Sequence, residues 1–150
     1  MNVQPTVATK LDILSMLPAE LEALVREMGQ PKFRAGQLFG WLHNKLAASF
    51  DEMMNLPAAF RAELATRCYI TQLEARRCQS ASDGTAKYLF ELMDGNTIES
   101  VLMRHDYGNS LCISSQVGCY MGCRFCASTI GGKVRNLSAS EMLSQIYTVT

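Results

Sequence analysis

The apolar pattern of this 150-residue chain changes period near residue 70. That change constrains the fold to a helical part followed by a part built on strands. Before residue 70, Leu21, Leu24, Val25 and Met28 recur at i, i+3, i+4 and i+7 after Pro18, and Gly29 stands where a helix stops. A second helix is predicted over 34–47, with Leu38, Phe39, Trp41, Leu42 and Leu46 apolar. Ser49 or Asp51 is placed to cap a short third helix at 51–56, and Pro57 to open a fourth that runs to Cys68. Beyond Tyr69, apolar runs at 87–93 and 97–103 flank Asp94-Gly95-Asn96, a hairpin signal because Asp-Gly accepts positive φ. Tyr107-Gly108-Asn109 marks another turn, and a strand at 111–117 leads into a cysteine-rich loop. After it, Ser138-Ala139-Ser140-Glu141 reads as a capping box that starts a helix carrying Met142, Leu143, Ile146 and Tyr147. The expected class is α+β: a small helical module, a short β-hairpin connector, then a first βα unit.

Composition removes several classes. Fourteen basic and fourteen acidic residues give a formal net charge of zero, so overall charge gives no sign of a nucleic-acid partner. No apolar stretch approaches the ~20 residues that span a bilayer. The segment Met1-Asn2-Val3-Gln4-Pro5-Thr6 lacks the basic and apolar regions of a secretory signal. With three of its six cysteines clustered and no such signal, the chain is expected in a reducing cytoplasm rather than as a disulfide scaffold. The last helix has no stop signal before Thr150, so a longer protein is expected.

Cys119, Cys123 and Cys126 follow the spacing C-x₃-C-x₂-C, with Phe125 just before the last cysteine. Three thiolates so placed can hold three irons of a [4Fe–4S] cube and leave the fourth iron open to a substrate. Two other readings fit the same spacing. The positions i, i+4 and i+7 also describe one face of a helix. A zinc site is the other, with Cys112 or His105 as the fourth ligand that structural zinc requires. Gly118 and Gly122 weigh against the helix, because glycine costs ~1 kcal/mol in a helix interior and instead permits a loop that wraps a metal.

The loop resembles the signature of the radical S-adenosylmethionine (SAM) enzymes. The longer run Cys112-Ile113-Ser114-Ser115-Gln116-Val117-Gly118-Cys119 continues through Phe125-Cys126, Ala127-Ser128-Thr129 and Arg135-Asn136-Leu137. That run is similar to the radical SAM RNA adenine methyltransferases, the RlmN/Cfr family. In the helical part, Pro31-Lys32-Phe33-Arg34-Ala35-Gly36-Gln37, Trp41-Leu42-His43 and Ser49-Phe50-Asp51-Glu52-Met53 resemble the same family's N-terminal module. The resemblance runs from about Lys10 onward.

The resemblance implies methylation of C2 of an adenine in 23S rRNA and, in some members, in transfer RNA. It implies a [4Fe–4S] cluster and SAM as cofactors, and the start of a radical SAM (β/α) partial barrel. A complete barrel of eight units needs ~250 residues, which this chain does not have. In the family, one SAM methylates a cysteine near the C-terminus and a second supplies the radical that activates that methyl group. The carbon adds to the adenine, a base removes the ring proton, and another cysteine releases the product through a disulfide. By position, Cys119, Cys123 and Cys126 match the iron ligands, Phe125 the residue near the SAM adenine, Cys112 the resolving cysteine and Glu99 the proton acceptor. On their own, Glu99 reads as the polar face of a strand and Cys112 as a small buried hydrophobe.

No residue matches the methyl-carrying cysteine. Cys68 and Cys78 precede the cluster and read as structural, so the chain alone is not expected to complete the reaction. The expected organisation is a helical RNA-binding domain at 10–68, a β connector at 69–111 and the start of the radical SAM core at 112–150. Lys32, Arg34, Arg76 and Arg77 are either a solvated face or phosphate contacts. A monomer with no membrane partner is expected. Two further readings stay open: methylation at C8 of the same adenine, and a non-catalytic RNA-binding module with a zinc-stabilised loop.

Overall fold

Pro18 has no N–H to leave unsatisfied in a first helical turn, and α1 (Pro18–Glu27) starts there. In the computed structural model, which describes residues 10–149, the chain divides into two units at Thr71/Gln72. In the first, β1 (Leu11–Asp12) precedes α1, and Gly29 turns the chain beyond the helix at φ +68°. Then α2 (Phe33–His43) packs against α1. It stops four residues short of the expected end. Leu46 takes φ +53° and the Ala47 N–H reaches back to the Trp41 carbonyl at 2.9 Å, which closes the helix.

The expected third helix is a single 3₁₀ turn, Phe50–Glu52, capped by Glu52 Oε1 accepting the Ser49 N–H at 3.0 Å. Beyond Pro57, α3 (Ala58–Arg67) leads into β2 (Cys68–Tyr69), which pairs in parallel with β1. Ile13, Leu21, Val25, Leu38, Met53, Phe60 and Leu64 are fully buried in this unit. Cys68 is buried there as expected, and burial raises its thiol pKa.

The second unit holds more sheet than a hairpin. Four antiparallel strands, β3 (Glu74–Ser80), β4 (Ala86–Glu91), β5 (Thr97–His105) and β6 (Gly108–Cys112), lie in sequence order. The Asp94-Gly95 turn joins β4 to β5, with Gly95 at φ +82°. The strand expected at 111–117 breaks in two. After β6 the chain leaves the sheet, and β7 (Gln116–Val117) pairs antiparallel with β8 (Arg135–Asn136) on the far side of the cysteine loop. Then α4 (Ala139–Val149) follows. One core joins Leu73, Phe90, Leu92, Ile98, Val117 and Leu137, with Tyr88, Met142 and Val149 packed against it. Cys78 on β3 is exposed, which corrects its expected structural role: it fills no core space. Among the described residues no helix is long and apolar enough to cross a membrane.

Candidate active site

Strand register settles which face each polar side chain takes. On β5, Ile98, Ser100 and Leu102 are buried, so Thr97, Glu99 and Val101 lie on the other face. Val101 is paired with Cys112 of β6, and paired residues share a face. Glu99 and Cys112 therefore stand on the same face as diagonal neighbours, a relation that spans about 7–8 Å between Cα atoms. Cys112 is exposed rather than buried, which corrects its reading as a small core residue. The Glu99 carboxylate is 3.0 Å from Lys87 Nζ, and Lys87 reaches it from β4.

The segment after Cys112 is held by one buried amide. Gln145 of α4 is fully buried. Its Oε1 accepts the Ser114 N–H at 2.8 Å and the Ser100 hydroxyl at 2.7 Å, and its Nε2 donates to the Ser114 carbonyl at 2.9 Å. The side chain thus stands in for a neighbouring strand where β6 has left the sheet. Ser114 completes the tie by donating its hydroxyl to the Glu99 carbonyl at 2.7 Å. Gly118 then turns the chain at φ +70°, with its α-carbon so close to Gly132 that a Cβ would lie 1.8 Å from the Gly132 carbonyl oxygen. Only glycine permits that approach.

These elements enclose an open cleft of about 550 Å³ lined by, among others, Glu99, Ser114, Gly118, Cys119 and Cys126. The structure thus brings Glu99, Cys119 and Cys126 to one cavity. Cys112 and Cys123 are outside its lining. Phe125 points into solvent, 94% exposed, and does not line the cleft. Residues 119–126 form turns and no helix, which removes the helix-face reading of the cysteines. All six cysteines are free thiols. The Thr129 hydroxyl ties the loop by hydrogen bonds to the Cys123 and Cys126 carbonyls, at 3.1 and 2.8 Å.

The donor set suits an iron–sulfur group in kind. Three half-buried thiols share one short loop, and the Met121 N–H donates to Cys119 Sγ at 3.4 Å, as amides do to cluster sulfurs. The ligating geometry is not formed. Among the described residues no three histidine, cysteine or carboxylate side chains converge closely enough to hold a metal ion, so neither Cys112 nor His105 completes a zinc set with the loop. His105 instead stacks on Tyr107 at 4.8 Å.

An ionic tie braces the far side of the loop. Arg135 of β8 donates from Nη1 and Nη2 to the two Glu141 carboxylate oxygens, each at 2.8 Å, and from Nε to Asp94 at 2.7 Å. The guanidinium pulls the Asp94 carboxyl down to about 2 and holds Glu141 below the usual carboxylate range. Glu141 also accepts the Ser138 N–H at 2.8 Å, and the Ser138 hydroxyl accepts the Glu141 N–H at 3.2 Å, forming the expected capping box. Sequence reasoning missed Lys87, Gln145 and Arg135. Lys87 and Gln145 gave only a polar side chain on an amphipathic element, which is indistinguishable from a solvated face, and Arg135 stood in the resembling run with no role attached.

Residues 11–70 match the family model described as the ribosomal RNA large subunit methyltransferase N-terminal domain (RlmN_N). A protein of Lachnospira eligens is 58% identical over 92% of this chain and 40% of its own length. One of Lachnoclostridium phytofermentans is 50% identical over 96% of this chain and 41% of its own length. Both are named "Probable dual-specificity RNA methyltransferase RlmN". A solved radical SAM methyltransferase from Sphaerobacter thermophilus superposes with a TM-score of 0.83 at 42% identity, over 92% of this chain and 41% of that one. The chain spans about 40% of the length of the curated relatives it matches.

Proposed function

We propose that this chain, whose residues 11–70 match the ribosomal RNA large subunit methyltransferase N-terminal domain, is the N-terminal part of an RlmN-type enzyme and contributes one wall of the active site of a radical SAM RNA methyltransferase. The substrate we propose is C2 of an adenine in 23S rRNA, and in transfer RNA as a second substrate. The observation that carries this reading is the cleft that collects Glu99, Cys119 and Cys126, with Cys112 on the same sheet face as Glu99.

In this reading Cys119, Cys123 and Cys126 would hold a [4Fe–4S] cluster, and Phe125, exposed on the same loop, would be available to contact the adenine of SAM. When bound, that group supplies the electron for radical formation from SAM. The other residues act on the RNA. An adenine must leave its stack to present C2, as base-modifying enzymes require, and the open cleft has room for it. Glu99 takes the ring proton onto a carboxylate oxygen. Cys112, exposed on the same face, attacks the sulfur of a methyl-carrying cysteine contributed from outside this chain. An S–S bond forms between the two cysteines, the bond from the carrier sulfur to the adenine-bound methylene carbon breaks, and that carbon leaves with the electron pair and takes a proton to become the methyl group. Residues 10–71 serve as an RNA-contacting module. Lys32 and Arg34 are already engaged there, Lys32 with Glu22 at 3.1 Å and Arg34 with Gln37 and the Asn55 carbonyl at 2.7 and 2.9 Å.

The test uses the full-length protein, loaded with iron and sulfide without oxygen, on 23S rRNA and transfer RNA. Mass spectrometry of the digested RNA should show 2-methyladenine. An 8-methyl product, or none, overturns the proposal. In Cys112→Ala a covalent protein–RNA adduct should accumulate, since that variant lacks the thiol that releases it.

A further inference from the structure

Lys87 is the one side-chain partner of the Glu99 carboxylate among the described residues. We propose that Lys87 is a positioning residue that fixes this carboxylate for the proton it takes from the RNA. The inference rests on Glu99 being the proton acceptor.

The register explains how the pair forms. Lys87 is paired across the strands with Val101 and Leu89 with Glu99, so Lys87 and Glu99 are diagonal neighbours on one face. Val101 is in turn paired with Cys112. Lys87 thus stands in the row of the thiol and reaches back into the row of the carboxylate. The other neighbours of Glu99 leave its carboxylate alone. Leu89, directly opposite, is apolar, and the Ser114 hydroxyl bonds to the Glu99 backbone carbonyl instead. With Oε1 held by the ammonium at 3.0 Å, Oε2 is left for the cleft that Glu99 lines.

An exposed pair of this kind contributes only about 0–1 kcal/mol to stability. Lys87 and Glu99 are 44% and 54% exposed, so the pair is a poor candidate for a fold-holding contact. Its consequence is geometric. A glutamate on an open sheet face samples several rotamers, and a single fixed oxygen removes most of them. Misplacement of a reacting group by about 1 Å can cost on the order of 100-fold in rate.

The test compares Lys87→Met, Lys87→Arg, Glu99→Gln and the Lys87→Met/Glu99→Gln double variant in the full-length holoenzyme. Lys87→Met should lower kcat about 10- to 100-fold. KM for RNA and RNA affinity should change by less than about twofold, since the proposal removes no RNA contact. The covalent protein–RNA adduct should persist in single-turnover experiments, because proton removal follows its formation. Lys87→Arg, which keeps a cation in reach, should recover most of the rate. Adding Lys87→Met to Glu99→Gln should slow turnover no further, the mark of one residue acting through another. If Lys87→Met turns over normally while Glu99→Gln is slow, the proposal fails and the base assignment stands. Normal turnover in Glu99→Gln overturns the base assignment and this proposal with it. A rise in KM matching the loss, or additive slowing in the double variant, makes Lys87 an RNA contact instead and also overturns it.

Discussion

At the scale of single residues, two glycines that look alike in sequence have different reasons to be there. Gly118 and Gly122 both flank the first cysteines and both adopt positive φ, at +70° and +66°. A side chain at Gly122 would meet nothing nearer than 4.0 Å, whereas one at Gly118 would overlap the Gly132 carbonyl. Gly122→Ala should therefore cost only the left-handed backbone penalty of roughly 1–2 kcal/mol. Gly118→Ala should cost at least about 2 kcal/mol more, because the β7–β8 connection must open. Urea unfolding checks this, and equal losses would contradict the close approach of 118 to 132. The cysteines give a second expectation. Alanine at Cys119, Cys123 or Cys126 should each abolish uptake of about four irons per chain, and alanine at Cys112 should leave it intact. Iron and sulfide analysis after anaerobic reconstitution decides, and retention of four irons in any of the first three variants would remove that cysteine as a ligand. That the loop turns at its glycines rather than running as a helix was legible in the sequence. The Gly118–Gly132 approach was not, since nothing local ties residues fourteen apart.

At the scale of elements, the sequence was readable where apolar periodicity was strong and misleading where polar atoms do the holding. The helix after Pro18 and the Asp-Gly hairpin stand where the pattern put them. The strand β3 was missed because all seven of its residues are exposed, so Glu74–Ser80 carries no alternation to read. On α4 the apolar residues do not mark the buried positions alone: Ser140, Glu141, Ser144 and Gln145 are buried and Ile146 is exposed. Among these, Gln145 satisfies a strand end that has left its sheet, and Glu141 holds Arg135 and the Ser138 N–H. Gln145→Leu should then cost about 3–5 kcal/mol, since the Ser114 N–H and carbonyl and the Ser100 hydroxyl each lose a partner worth roughly 1–3 kcal/mol. Ser100→Ala should cost only about 1 kcal/mol, because the Ser114 bonds to Gln145 remain. Chemical denaturation of both variants, with hydrogen exchange at the Ser114 amide, provides the measurement. Equal losses would mean the amide does not clamp the segment that carries Cys112 towards the cleft.

At the scale of the whole molecule, the chain divides into two units at Thr71/Gln72, and the ionic design differs from what net charge showed. A formal net charge of zero hid the fact that the carboxylates held below their ordinary range, Asp83, Asp94 and Glu141, all fall within 72–149. Arg135 gathers two of them from separate elements, the β4–β5 turn and α4, onto the strand that closes the cysteine loop. A carboxylate depressed in the folded state adds stability above its unfolded value, near 4, and loses it as pH falls towards its folded value. For Asp94 that window runs from about 4 down to about 2. The Asp94 contact is partly screened by solvent, so most of the tie's strength lies in the bidentate bond to the buried Glu141. Arg135→Met should lower the stability of residues 72–149 by about 2 kcal/mol at pH 7. It should also flatten their acid dependence, because both carboxylates return towards ordinary values. Protection of β4 and β5 amides, followed by hydrogen exchange from pH 7 to pH 3, reads this unit. Trp41, the single tryptophan, lies in α2 and reports on residues 10–71 separately. The parent chain should lose β4 and β5 protection steeply below pH 4, and Arg135→Met should start lower and change less. Parallel acid curves for the two proteins would show that the loop-closing strand is held by something other than this arginine.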